Sequence, residues 1–380
     1  MTSASSLAAM KNPSLVVTAD HNIRMEEAPV NEPGAGQVLL HVRTTGICGS
    51  DVHFWRHGRI GDLTVDGDCI LGHEASGDIV KLGPGVTDLV VGDRVAVEPG
   101  VPCGQCFLCI QGRYNLCDDV AFAGVYPHHG SIQRFKVHAA RFVYKLPASV
   151  THRTSALLEP LSVAMHALRV TPINVGTPVA IFGAGPIGLL TMAIARASGA
   201  HPIVITDVDA GRLEFAKAFE PRCLTHRVDI SKTARESADA VQKLFTDGED
   251  AKQEHRMPEL VLECTGIESS IVTAAYTVRR GGRINFVGVS SRPTVNNLPF
   301  MHLSLAEVQL RFINRYHGTW GAGLAALEGG LINTAKLDQL VTHEFKLESA
   351  VEAMKTVAEG PAREENVVKV QIIDDELVRV

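Results

Sequence analysis

The sequence predicts an α/β protein in two parts, an irregular β-rich first half followed by a doubly wound parallel sheet. Three observations carry this expectation. The 380 residues exceed what one hydrophobic core usually supports. From about Ser14 to Val150 the chain consists of short β-type runs cut by Gly, Pro and Asp. After Val170, buried-type strand runs alternate with helical segments, the pattern of a parallel sheet covered on both faces.

In chain order, QVLLHVRTTGI, ASGDIVKLG and GDRVAVEPG read as strands of the first part. THRTSALLEPLSVAMHALRV changes period, with apolar residues at helical spacing from Ala156 to Leu168. VAIF, PIVIT, LVLEC, RINFV and VQLRFI follow as strands of the parallel sheet. The charged run Asp247 to Arg256 reads as a solvated loop or helix end. From about Arg315 the alternation lapses: LVTHEFKLESAVEAMKTVAEG reads as a strand and an amphipathic helix, and VVKVQII as a last strand whose partner spacing cannot name. The expected divisions are 1–165, 166–314 and 315–380.

An apolar content of 45% can fill two cores, and a net charge of −6 argues against nucleic-acid or anionic-membrane partners. No basic segment followed by a long apolar core opens the chain, so no secretory signal is expected. The uncharged stretch Val170 to Ala195 contains Pro172, Pro178 and Pro186, which do not suit a spanning helix. The expectation is a soluble, cytoplasmic protein. Eight cysteines in that setting point to metal ligation over disulfides.

Cys103, Cys106, Cys109 and Cys117 follow one another at intervals of three, three and eight. Four thiolates so placed can surround a tetrahedral Zn²⁺ with no open position, which makes the site structural. A zinc ribbon for nucleic acid would need basic and aromatic surface that this lobe lacks. An iron–sulfur cluster is the other four-thiolate reading. Cys48 in CGSDVHFW, with His73 and Glu74 in GHEASG, offers a thiolate, an imidazole and a carboxylate for a second Zn²⁺. Both stretches are Gly-flanked turns at the ends of β-like runs, where side chains can converge on a cleft. Cys69, Cys223 and Cys264 read as core residues, and His128 and His129 as an exposed loop.

VAIFGAGPIGLLTMAIARASGA places Gly183, Gly185 and Gly188 between a strand ending at Phe182 and a helix running to about Ser198. Such glycines permit a tight turn, close approach to a pyrophosphate and close helix packing. The next strand ends at Asp207, where an acid can accept hydrogen bonds from an adenosine ribose and repel a 2′-phosphate. NAD is therefore favoured over NADP. Arg212 is the basic residue nearby, expected across the adenine or beside the ribose.

CGSDVHFW, GHEASG, the four-cysteine lobe, LLEPLSVAMHAL and GAGPIG occur in an order that resembles the zinc-dependent medium-chain dehydrogenases over nearly the whole chain. EPLSV, ITDVDAGRLEFAK and NRYHGTW resemble the sorbitol, xylitol and L-arabinitol branch of that family. HFWRHGRIGD, PFMHLS and the retained lobe cysteines look most like its L-arabinitol group.

The resemblance implies a GroES-like catalytic first domain, a Rossmann second domain and a C-terminal segment that rejoins the first. It implies a catalytic zinc held by Cys48, His73 and Glu74, with Glu159 ligating directly or through water. Pro186, Ile187, Asp207, Arg212, Val287, Asn314 and Arg315 are expected at the cofactor, and Arg315 and Tyr316 toward substrate. The implied partners are a polyol and, by family habit, three further copies of the chain.

One segment departs from the branch: GVYPHHGS, Gly124 to Ser131, stands where relatives read TPPxDG, and it leaves the particular polyol open. Family logic gives Ser50 and His53 the proton released on oxidation. A simple alcohol or threonine-type dehydrogenase and a catalytically silent NAD-binding protein are the competing functions. The silent reading predicts a lost zinc ligand or relay residue, and none is lost.

Overall fold

The structure, a computed structural model, describes residues 7, 10–246, 251–290, 292–360 and 366–376. Asp247 to Asp250 of the charged run lie outside the described residues, and Ala251–Arg256 form a short 3₁₀ helix. Two compact units make up the chain, Met1–Glu159 with Trp320–Val380, and Pro160–Thr319.

The first unit is built on a seven-stranded sheet. Its path runs Val143–Lys145, Arg94–Val97, Glu74–Leu82, Gln37–Gly46, Lys369–Ile373 and Val341–Lys346, and Phe135–Ala139 also pairs with Gln37–Gly46. The long strand Gln37–Gly46 divides one edge between two partners, with residues 37–41 against Phe135–Ala139 and residues 44–46 against Lys369–Ile373. VVKVQII thus ends up inside this sheet, antiparallel to a strand more than 300 residues earlier. Alternation explains the placement: Val370 and Ile372 face the core beside Leu15, Phe54, Leu71 and Met354. Ala350–Glu359 packs its buried Ala353 and Met354 into the same cluster.

The second unit carries a six-stranded parallel sheet in the order Leu224–Arg227, Ile203–Asp207, Val179–Phe182, Leu260–Glu263, Arg283–Phe286, Gln309–Phe312. Numbered along the chain within this unit, that order is 3-2-1-4-5-6, the doubly wound arrangement whose crevice lies at the carboxyl ends of the first and fourth strands. Fully buried Val179, Ala180 and Ile181 account for the apolar run VAIF. The third strand, LTHR, lies at the sheet edge with a mixed burial pattern, so it carries no apolar signal in the sequence.

Candidate zinc centres and dinucleotide site

The chemistry of the first unit is organised around Asp51. Cys48 precedes the helix Gly49–His57, and Asp51 sits in its first turn, where a carboxylate complements the helix dipole. Asp51 is fully buried; its Oδ2 accepts from the Cys48 backbone N–H at 2.9 Å and its Oδ1 from that of Gly72 at 3.1 Å. His73 Nδ1 lies 3.5 Å from Asp51 Oδ1. The carboxylate therefore fixes the two turns against each other and takes the Nδ1 side of the ring, leaving Nε2 for a metal. Burial works against charge on both partners, yet their mutual attraction holds Asp51 below and His73 above their ordinary pKa values.

Ligand atoms of Cys48, His73 and Glu74 all lie within 4.8 Å of one another. Glu74 is fully buried and stands opposite Gly46 in the sheet, and a Cβ at Gly46 would overlap its Oε2. Lys369 Nζ approaches both Glu74 oxygens at 2.6 Å and donates to Oε1 and to the Ile47 carbonyl. Oε2 has no aligned donor, so one buried carboxylate oxygen keeps a free lone pair beside the Cys48 sulfur and the His73 imidazole. That donor set fits zinc.

Glu159, in the first turn of Leu158–Arg169, is buried. Burial opposes a charge on Lys369, but Glu74, Cys48 and Glu159 together keep its pKa above the ordinary value. Ser50 and His53 lie three residues apart on the Cys48 helix, both half-buried. Burial and the neighbouring His57 lower the pKa of His53, which favours the neutral ring.

The four lobe sulfurs also gather within 4.8 Å. Cys117 Sγ is 3.5 Å and Cys109 Sγ 3.9 Å from Cys103 Sγ, close to the ~3.8 Å edge of a tetrahedron with 2.3 Å zinc–sulfur bonds. Backbone N–H groups of Cys103, Cys106 and Cys109 each point at a lobe sulfur at 3.4 Å, an environment suited to thiolates. Glu98, fully buried, accepts from Tyr114 in this lobe and Tyr144 on the sheet, at 2.7 and 2.6 Å, tying the lobe down.

In the second unit Gly183 has φ of 101°, which favours glycine, and a Cβ at Gly188 would overlap the Gly183 carbonyl. Gly185 caps the helix Pro186–Ala197 and faces open space, while Pro186 stands at its first turn and Ile187 is half-buried. This cradle fits a pyrophosphate. Asp207 does more than the sequence suggests: its Oδ2 accepts from Ala184 N at 2.8 Å and its Oδ1 from Asp209 N at 3.0 Å. It braces the glycine turn from within the strand that follows it.

Arg212 lies in the first turn of Ala210–Phe219, and Val287 is buried just after Arg283–Phe286. After the last strand, Asn314 is exposed, Arg315 takes a positive φ of 53° and Tyr316 is buried. Cys69 and Cys223 are buried as expected, whereas Cys264 is only partly so. His128 and His129 are exposed, in agreement with a loop.

Two family models match, the alcohol dehydrogenase GroES-like domain over residues 34–148 and the zinc-binding dehydrogenase domain over residues 186–328. The chain belongs to the zinc-binding alcohol dehydrogenase family. L-arabinitol 4-dehydrogenase of Penicillium rubens is 44% identical to this dehydrogenase over 90% of the chain and 86% of the relative. Sorbitol dehydrogenase of Gallus gallus is 41% identical over 92% and 94%. Among solved structures, L-idonate 5-dehydrogenase of Escherichia coli is 26% identical with a TM-score of 0.82, covering 96% of this dehydrogenase and 99% of that chain. The 2R,3R-butanediol dehydrogenase of Bacillus subtilis is 25% identical with a TM-score of 0.80, covering 96% and 100%.

Asp51 and Lys369 were not anticipated as site residues. Asp51 was visible as an acid three residues past the candidate thiolate. Lys369 left no local signal, because it reaches Glu74 across 295 residues.

Proposed function

We propose that this dehydrogenase oxidises a secondary hydroxyl of an open-chain polyol to a ketone with NAD as acceptor, L-arabinitol to L-xylulose being its reaction. One observation carries the reading: identity of 42–45% to L-arabinitol 4-dehydrogenases over 85–90% of the chain, in a molecule whose Cys48, His73 and Glu74 ligand atoms converge.

Zinc, when bound, supplies the Lewis acidity that makes a hydroxyl proton easy to remove, and NAD supplies the hydride acceptor. The chain does the rest. Asp51 holds the His73 ring, and Lys369 holds Glu74 and offsets its charge. Ser50 accepts the hydroxyl proton and His53, favoured as the neutral ring, carries it toward solvent. Glu159 adds a second buried carboxylate, as ligand or as partner of a water. The Gly183–Gly188 turn seats the pyrophosphate, Asp207 selects the unphosphorylated ribose, and Arg212, Val287, Asn314 and Arg315 line the remaining cofactor surface. Arg315 and Tyr316 meet the polyol. The four-cysteine lobe holds a second, structural zinc, and the working unit is a soluble tetramer.

NAD reduction measured across L-arabinitol, xylitol, sorbitol, galactitol and ribitol, with the ketose identified, tests the reading. L-arabinitol should give the highest kcat/KM. The sorbitol dehydrogenase relatives at 41–42% identity favour a second reading, in which sorbitol or xylitol takes that place. Turnover of none of these polyols by zinc-loaded protein would refute both.

A further inference from the structure

A cavity of about 660 Å³ lies in the first unit, and Cys48, His73, Glu74 and Glu159 are not among its lining residues. Its walls come from residues 26–29 and Asn31, the strand Phe135–Ala139 and the loop carrying His128 and His129, the same loop that departs from the family pattern. Its charge balance is unusual. Three carboxylates line it as well: Glu26 and Asp68 share Arg24, and Glu27 accepts from the Asn12 backbone N–H at 2.8 Å. The lysine that lines it has no such partner. Lys136 is 9% exposed, and it forms no ion pair among the described residues. Its Nζ donates to one acceptor, the His129 carbonyl at 2.6 Å, leaving two N–H donors unspent.

The neighbouring rings show which way the site points. His129 Nδ1 accepts from the Ile70 backbone N–H at 3.2 Å, so in the neutral ring Nε2 carries the proton and is a donor. His138 Nε2 lies 2.8 Å from the Glu98 carbonyl and must donate to it, which places a proton on that nitrogen and leaves it no donor for the cavity. Partial desolvation of the exposed His129 and burial of His138, each reinforced by Lys136, lower both pKa values and favour uncharged rings. Burial likewise pulls Lys136 down to about 8, as expected for a cation short of a counter-charge. The cavity lining therefore includes one buried ammonium and an imidazole N–H, with Glu26 and Asp68 held by Arg24 and Glu27 by a backbone N–H.

We propose that this cavity is a binding site for a small oxyanion, a carboxylate or a phosphate group, held by Lys136 with His129 as second donor. The site would be coupled to the ligand cluster through the backbone. Gly130 N donates to the Ile70 carbonyl and Ser131 N to that of Gly72, so the loop that supplies His129 is bonded along the segment that ends at His73.

The test uses zinc-loaded protein with NAD saturating, so that the dinucleotide phosphate positions are filled. Inorganic phosphate and acetate are titrated in separate arms, read by thermal shift and calorimetry at pH 7. Saturable binding of either anion is expected; phosphate alone or acetate alone identifies the headgroup. Lys136→Met should weaken it by at least about tenfold, a full factor of ten corresponding to the loss of one modest charged contact, and Lys136→Arg should retain it. His129→Ala, on an exposed side chain, should weaken it severalfold, and decides the matter should Lys136→Met fail to fold. The proposal is overturned by absence of saturable binding of both anions to the wild type, including the case where the chain self-associates through this face instead. Affinity unchanged in Lys136→Met, or in His129→Ala where that variant decides, overturns it equally. None of these outcomes depends on which polyol is oxidised.

Discussion

Lys369 and Glu74 form a buried ion pair whose value depends on what else is present. Both are at most 4% exposed. Removing one partner of such a pair leaves an uncompensated charge and costs roughly 3–5 kcal/mol. Zinc would supply part of the missing positive charge. Lys369→Met should therefore lower the melting temperature more in metal-stripped than in zinc-loaded protein; equal losses in both would show that Glu74 does not face the metal. His138 sets an acid limit of a different kind. Burial first, then the Lys136 charge, hold its pKa near 3 against about 6.5 in the unfolded chain, with only the Glu98 carbonyl opposing. The unfolded chain then binds the extra proton between pH 6.5 and 3. Stability is lost as pH falls through that window, by up to about 1.4 kcal/mol per pH unit. His138→Gln, which can still donate to the Glu98 carbonyl, should flatten that limb in denaturant titrations between pH 6.5 and 4.5.

At the level of elements, two loops behave as closed devices and each has its own signature. The lobe from Cys103 to Cys117 contains only a four-residue helix and a 3₁₀ turn, so the four sulfurs and the Tyr114–Glu98 bond must hold it together. Cys106→Ser should lower the melting temperature and release one metal equivalent while leaving KM for NAD unchanged; a fully stable but inactive variant would reverse the two metal roles. The glycine turn is braced by Asp207, so exchanging that acid has two effects at once. Asp207→Ser should raise KM for NAD severalfold, through loss of the Ala184 and Asp209 contacts, before any gain with NADP is seen. An unchanged KM for NAD would show that the brace is dispensable.

Both loops were legible in the sequence, since cysteine spacing and glycine spacing are local records of local geometry. So were the four inner strands of the parallel sheet, because burial on both faces leaves continuous runs such as VAIF; VQLRFI, expected to be of the same buried type, is instead a mostly exposed edge strand, Gln309–Phe312. The edge strand Leu224–Arg227 was not, since an edge position asks for no apolar run. Nor could Gly46 be read as a site residue: its missing side chain matters only because Glu74 lies across the strand pair.

On the scale of the whole molecule, the first unit is closed by residues from far along the chain. Beyond the Lys369–Ile373 pairing, Asp374 Oδ2 accepts from Arg134 Nε at 2.7 Å and lies 3.1 Å from His41 Nε2, all three side chains being buried. Arg134→Met should cost about 3–5 kcal/mol by leaving Asp374 undercompensated, measurable as a lower urea midpoint. A loss below about 1 kcal/mol, the worth of a surface pair, would show the clasp to be incidental. Pairings of this range leave no mark on local periodicity, which is why spacing alone could not name the partner of VVKVQII. Among the described residues no helix is long and apolar enough to cross a membrane, and the uncharged stretch before Ala195 includes the strand Val179–Phe182 and the start of the helix Pro186–Ala197.

The ammonium that neutralises Glu74 is translated 295 residues after it. During synthesis the carboxylate, thiolate and imidazole of the cluster are therefore all available while their basic neighbour does not yet exist. The ion pair that offsets Glu74 therefore forms only when the strand Lys369–Ile373 has been inserted beside Gln37–Gly46.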